Sequence, residues 1–236
     1  MSETRDRAEA SASLANICLD RARSVAPLIE SAHARIDANR ELPADVLAAM
    51  HDAELWRMSL PKCLGGGEVT PPILAQMMEI IAKADASAGW VLGQGTGCAM
   101  SAAYLDTEPA AHVFGPANAV LAWGAGTVGK AVACEGGYRV TGSWQFASGG
   151  KHATWLGGHS MVFEADGTPR KTQDGRHVDR TALFPREAAE IHDDWHVMGL
   201  KGTRSEGYTV TDLFVPGELT LDRDKPEECR TPSPLY

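Results

Sequence analysis

A chain of 236 residues, 44% hydrophobic and 22% charged, has the composition of an ordinary globular protein and the length for one large or two modest domains. No apolar run approaches the roughly 20 residues that span a bilayer, which excludes a helical membrane protein. The net charge of −9, with 31 acidic residues against 22 Lys plus Arg and no basic cluster, argues against nucleic acid as a partner.

The opening MSETRDRAEASASLA mixes both signs of charge and lacks a continuous apolar core, so it is no secretory signal and a cytoplasmic location is expected. The five cysteines (Cys18, Cys63, Cys98, Cys134, Cys229) stand singly, with no CxxC pair and no zinc-finger histidines. They read as small core residues, and no metal site is expected.

Up to about Gly115 the punctuation is helical. Residues 14–36 carry a loose periodic pattern (Leu14, Ile17, Leu28, Ile36) broken by Pro27, and Pro43 suits the first position of a helix bearing Val46, Leu47 and Met50. LPKCLGGG at 60–67 is a loop. Ile73, Met77, Ile80 and Ile81 recur at helical spacing after Pro72, and Asp85 with Ser87 offers a stop and a fresh N-cap for 88–105. A short helix from Thr107 closes this half near Phe114.

Beyond Gly115 the period changes to that of strands. AVLAW (119–123), KAVAC (130–134), YRVTGSWQF (138–146), TWLGGHSMVF (154–163), RTALFP (180–185) and YTVTDLFVP (208–216) are separated by Gly, Asp and Pro. Glu135-Gly136-Gly137-Tyr138 and Asp166-Gly167 are hairpin signals. The expectation is an α+β multidomain protein: an all-α domain over 1–115, a small antiparallel β-barrel over 116–220, and a polar, Pro-rich linker over 221–236.

The stretch from Tyr138 to Trp155 is the most informative. Tyr138, Val140, Trp144 and Phe146 alternate onto one face of a strand, which then runs into the small residues Ala147, Ser148, Gly149 and Gly150. On these residues alone the leading reading is a buried strand ending in an ordinary turn. The alternative is a wall for a planar, hydrogen-bonding ligand, with Trp144 and Phe146 as apolar sides and bare main-chain N–H groups beside them.

Other candidates are weaker. Gly93-Gln94-Gly95-Thr96-Gly97 lacks the preceding strand and third glycine of a dinucleotide loop, Cys98 standing where that glycine belongs. His192 and His196 have a metal-ligand spacing only if helical, and their surroundings read as a solvated loop. Ser148 and His152 lack a nucleophile elbow, which leaves His152 a structural histidine first and a cofactor neighbour second. Gly199 to Ser205 is a loop whose Lys201 and Arg204 are available to an anionic group.

Taken in order, LPKCLGGG, ADASAGWVLGQ, EGGYRVTGSWQFASGGKHATW and DDWHVMGLKGTRSEGYTVTDLFVP resemble the acyl-CoA dehydrogenase superfamily, in particular its two-component flavin-dependent monooxygenase branch. WGAGTVGKA, where dehydrogenases carry Thr-Glu-x-x-x-Gly-Ser-Asp, and FASGG in place of Trp-Ile-Thr-Asn both favour that branch. The resemblance implies a reduced flavin, FAD or FMN, lined by Trp144, Phe146, Ala147 and Ser148, with Ser148 and neighbouring amides as donors to the ring edge. It implies that Gly124 and Thr127 flank the flavin, and that Trp123, Gly202, Thr203, Arg204 and Ser205 border the substrate. No catalytic residue is assigned.

The implied activity is oxygenation of a small aromatic substrate, with a separate flavin reductase as partner and either homo-oligomerisation or association with a C-terminal half. The superfamily's C-terminal helical bundle would lie beyond Tyr236. Two alternatives stay open: an acyl-CoA dehydrogenase fragment acting on an acyl substrate, and a non-catalytic fragment or partner subunit.

Overall fold

The computed structural model describes the backbone of residues 2–231, 233, 235 and 236, and side chains from residue 15 onward. Leu14, Pro232 and Pro234 of the patterns above therefore lie outside the described side chains. Five α-helices come first: α1 (Ser2–Asn39), α2 (Ala44–Asp52), α3 (Pro71–Ala84), α4 (Ala86–Ala99) and α5 (Thr107–Phe114). No helix among the described residues is long and apolar enough to cross a membrane.

Helix α1 runs straight through Pro27, contrary to the expected break. Its buried stripe is Cys18, Ala22, Val25, Ile29, Ala32 and Ile36, at alternating steps of four and three, while Pro27 faces solvent. Burial of that stripe against α3 residues such as Met77 and Ile81 outweighs the one backbone bond the proline removes, and Arg23, whose carbonyl loses that bond, lies on the exposed side. Ile17, assigned to the apolar face from sequence, is 48% exposed.

Asp85 caps α4, its Oδ1 accepting the Ala88 N–H at 2.9 Å while Oδ2 sits 2.7 Å from His33 Nδ1 of α1. Helix α4 is buried almost all round. Its partly open stripe is Trp90, Gly93, Gln94 and Gly97, continued by Met100 and Tyr104 in the following 3-10 turns.

Eight strands follow: β1 (Leu121–Trp123), β2 (Gly129–Cys134), β3 (Gly137–Trp144), β4 (Trp155–Phe163), β5 (Asp179–Pro185), β6 (Glu190–Ile191), β7 (Tyr208–Pro216) and β8 (Thr220–Leu221). They form one sheet in the order β6-β7-β3-β2-β4-β5-β8. The six strands expected from sequence are all present, and the two-residue β6 and β8 are additional. Glu135-Gly136 makes the β2–β3 hairpin, with Cys134 opposite Gly137 and Gly136 at φ 75°.

The sheet is mainly antiparallel, with two parallel pairings. β1 pairs with Trp155–Gly157 of β4, and β2 with Ser160–Phe163 of the same strand. The two short strands thus share one edge of β4, and the chain between them, residues 124–128, is pushed out as a loop. One core fills the sheet's interior and continues among the helices; a second, with Leu121, Trp155, Leu183 and Leu221, seats the outer face of β1, β4 and β5 on α5 and the end of α4.

Candidate cofactor and substrate site

The alternation along β3 holds through Val140 and Trp144, and both side chains are fully buried. Trp144 is therefore not a cleft wall, which corrects the expectation. Its Nε1–H donates to the His159 carbonyl at 2.9 Å, and its ring stacks on Tyr208 at 5.4 Å. Glycines make room for the indole: a Cβ at Gly158 would lie 2.7 Å from it, and Gly129 and Gly142 press equally close. The ring is interior because three strands present it with bare backbone.

Phe146 goes the other way. Its φ of 65° takes the chain off the strand, leaving the ring 62% exposed and edge-on to Trp195, centroids 6.1 Å apart. The next amides are not free, again contrary to expectation. Ala147 N donates to Glu206 O, Ser148 N to Phe146 O, Gly149 N to Thr203 O and Gly150 N to Ala147 O, at 2.8–3.1 Å. Ala147 itself is buried. The polar group left at the edge is the Ser148 hydroxyl, which accepts the Trp90 Nε1–H at 2.9 Å and lies 2.7 Å from Ser205 Oγ.

The 200–205 loop supports this edge rather than lining a substrate. Gly202 packs against Ile36 and Ser87, and Thr203 is buried with its hydroxyl donating to Leu200 O at 2.9 Å. Arg204 is held by Glu41 at 2.8 Å and Glu206 at 2.7 Å, and Lys201 by Asp37 at 2.9 Å. Neither cation is available to an anion. The expected substrate-bordering role of Gly202, Thr203 and Arg204 is thus not what the structure shows, because all three are enclosed between α1, α4 and the sheet. Ser205 reaches the edge only through Ser148.

The loop 124–128, expected to flank the flavin, is anchored through its first two amides. The Gly124 N–H donates to the Tyr208 hydroxyl at 3.0 Å and the Ala125 N–H to Gln145 O at 2.8 Å, which ties the loop beside the end of β3. Among the described residues, the amides of Gly126, Thr127 and Val128 have no partner within the chain. They are the uncommitted main-chain donors of this edge.

Past the loop opens a cavity of about 390 Å³, lined among others by Met100, Tyr104, Trp123, Thr127, His159 and Arg223. Its floor is Met100 and Tyr104, in the 3-10 turns that continue α4, and Gly97 lies about 10 Å along the helix axis from Trp90, at about 1.5 Å per residue. His159 stands edge-on to Trp123 at 4.9 Å, with Nδ1 2.7 Å from Thr181 Oγ1. Burial, aided by the Arg223 charge, pushes its pKa down, so the ring is neutral. Arg223 donates to Gly97 O at 3.0 Å and lies over the Trp123 ring at 5.6 Å.

The remaining candidates settle into structural roles. His152 Nε2 accepts the Leu42 N–H at 3.2 Å, and burial lowers its pKa to about 4. His192 bonds Thr209 and His196 meets Arg40, so the two rings leave the loop in different directions. Gly93–Gly97 lie inside α4. Sequence reasoning missed Trp90 and Trp195. The signal for Trp90 was its place beside Gly93 and Gly97 on a helix otherwise buried; nothing local marked Trp195.

The comparisons with known proteins agree with this architecture. Residues 20–109 match the family described as the acyl-CoA dehydrogenase N-terminal domain. An indole-3-acetate monooxygenase of Pseudomonas putida is 32% identical over 188 residues, 79% of this chain and 46% of that protein. The FADH(2)-dependent resorcinol hydroxylase oxygenase component of Rhizobium sp. is 32% identical over 204 residues, 85% of this chain and 48% of that protein. Among solved structures, XiaF from Streptomyces sp. in complex with FADH2 and glycerol superposes with TM-score 0.84 at 25% identity, covering 96% of this chain and 59% of that one. The HsaA monooxygenase from M. tuberculosis gives TM-score 0.82 at 27% identity, with 92% and 55% covered. The chain spans about half the length of the curated relatives it matches.

Proposed function

We propose, from the chain's membership of the acyl-CoA dehydrogenase superfamily and its likeness to flavin-dependent monooxygenases, that it forms part of the oxygenase component of a two-component flavin-dependent monooxygenase. The observation that carries this is the Phe146 ring, held open by a left-handed backbone beside a Ser148 hydroxyl that Trp90 and Ser205 fix in place. An aromatic surface next to an oriented hydroxyl and the free amides of Gly126 and Thr127 fits the edge of a flat heterocycle that carries both donors and acceptors.

Reduced FAD or FMN, when bound, supplies the oxygen chemistry. The protein's part is to bind, orient and exclude water. Phe146 and Trp90 give the ring an apolar contact, Ser148 meets its polar edge, and the 124–128 loop lies alongside. The cavity at Trp123, Thr127 and His159 takes the aromatic substrate, with neutral His159 as a hydrogen-bonding group and Met100 and Tyr104 as the apolar floor. A separate reductase delivers the reduced flavin. Phe146, Trp90, Val128, Met198 and Leu200 are exposed apolar side chains, and on the face that carries Phe146 and Trp90 we place contact with a second copy or with a C-terminal half.

Anaerobic titration with reduced FAD and reduced FMN tests the reading. Saturable binding that Phe146→Ala and Ser148→Ala both weaken is expected. Binding of neither flavin, or binding indifferent to both substitutions, removes it.

A further inference from the structure

The hydroxyls behind Ser148 form a chain whose direction is fixed by counting protons. Ser148 Oγ and Ser205 Oγ are 2.7 Å apart, as are Ser205 Oγ and Thr203 Oγ1, and Thr203 Oγ1 lies 2.9 Å from Leu200 O. A carbonyl only accepts, so the Thr203 proton goes to Leu200, whose oxygen also takes the Trp195 Nε1–H at 3.1 Å and the Thr203 N–H at 3.2 Å. Two gaps then remain for two protons. Ser205 must donate to Thr203, and Ser148 to Ser205.

All three residues are buried, Thr203 and Ser205 the more deeply and Ser148, nearest the edge, at 8% exposure. Leaving one of these gaps without a proton sets two buried lone pairs against each other, which the network avoids. Trp90 Nε1–H, being a donor only, takes one lone pair of Ser148. What Ser148 offers the open edge is therefore its remaining lone pair and not a proton.

We propose that Thr203 and Ser205 are positioning residues that set Ser148 as a hydrogen-bond acceptor, and that this polarity makes the site selective for the reduced over the oxidised form of a flavin. The inference rests on the flavin reading. Reduction places a hydrogen on N5 of the isoalloxazine; with that edge of the ring against Ser148, the bare lone pair would accept it, whereas the lone pair that the oxidised ring carries at N5 would meet repulsion. Selectivity thus originates three hydrogen bonds away from the contact, in the Leu200 carbonyl that anchors the chain.

Replacing Thr203 by Val removes the acceptor for Ser205. One gap is then left for two protons, and the surplus proton of Ser148 turns to the open edge, where the oxidised ring is now the better partner. Ser205→Ala frees the Ser148 proton by a shorter route and serves as an independent variant should one substitution disturb folding. Thr203→Ser keeps the hydroxyl and the polarity.

The experiment measures dissociation constants of oxidised and anaerobically reduced FMN and FAD for the whole chain and for T203V, S205A and T203S, with melting temperatures as the control for folding. The expected result is tighter binding of the reduced form by the wild type, a fall in the oxidised-to-reduced ratio of about tenfold in T203V and S205A, and recovery in T203S. A tenfold change corresponds to a shift of about 30 mV in the bound two-electron couple. An unchanged ratio in both folded variants overturns the polarity argument while leaving flavin binding intact. Absence of binding in either redox state overturns the flavin reading and this inference with it.

Discussion

The Tyr208 hydroxyl connects the sheet's interior to the site, and removing it tests whether the loop is held as the structure indicates. It accepts the Gly124 N–H at 3.0 Å and donates to the Gly157 carbonyl of β4, and all three residues are buried. Burial raises the phenol pKa, so it stays neutral and keeps its single proton on Gly157. Tyr208→Phe preserves the ring's stacking on Trp144 but orphans a buried amide, at about 1–3 kcal/mol, and loses a donor bond of about 1 kcal/mol. The sum is about 2–4 kcal/mol. For a chain of this length, at about 2–4 °C per kcal/mol, melting should fall by about 4–16 °C. Calorimetry and urea unfolding of the two proteins measure this, with an unchanged m-value showing that only stability moved. Because Gly124 starts the 124–128 loop, reduced-flavin affinity should fall as well. A loss below about 1 kcal/mol would refute the accounting, since the Gly124 amide would then have found water or another acceptor.

Phe146→Asn relieves a left-handed backbone that asparagine tolerates, so the melting temperature should hold or rise while reduced-flavin binding weakens severalfold in a fluorescence titration; a large loss of stability would make Phe146 a core residue instead. Gly158→Ala puts a methyl 2.7 Å from the Trp144 ring, so urea unfolding should show a destabilisation of about 1–3 kcal/mol from overpacking. His152, with its pKa lowered to about 4 by burial, refuses a proton that the unfolded chain accepts near 6.5, so its contribution is present above pH 6.5 and is lost as pH falls toward 4. Over that gap, at 1.36 kcal/mol per pH unit, the loss reaches about 3 kcal/mol. His152→Gln, which can still accept the Leu42 amide and does not titrate, should lose less stability than wild type between pH 7 and 4.5; equal losses would place the acid sensitivity elsewhere.

How far the sequence reached depended on whether a feature was local. The Glu135-Gly136 turn, the six longer strands and the Asp85 cap each follow from a few neighbouring residues, and all are found. Alternation along β3 paired Val140 with Trp144 on one face, but a period of two cannot say whether that face meets solvent or the interior. That answer came from Gly129, Gly142 and Gly158, spread over three strands and unremarkable one at a time. Phe146 was misplaced for the opposite reason: a phenylalanine at positive φ is rare enough that no pattern announces it. Trp90 and Trp195 belong to α4 and to an irregular loop, and only the folded chain brings both to the hydroxyls between them. Pro27 shows a strong local signal losing to the burial of six α1 side chains.

Strain says where the site is held from. Phe146, Leu200 and Arg204 all have positive φ, at 65°, 55° and 41°, and together they cost about 3–6 kcal/mol at about 1–2 kcal/mol each. The ion pairs Lys201–Asp37 and Arg204–Glu41 cross from the loop to α1 and its end, yet partly exposed pairs contribute about 1 kcal/mol or less apiece and do not cover that sum. The balance must come from what is buried: Gly202 seated on Ile36 and Ser87, and the hydroxyl chain from Thr203 to Ser148 closed by Trp90 of α4. Three of those partners belong to the helical half and the hydroxyls to the β half. The strained edge therefore exists only where the two meet, and separating the helices from the sheet would release the loop and the orientation of Ser148 before it disturbed the Trp144 core.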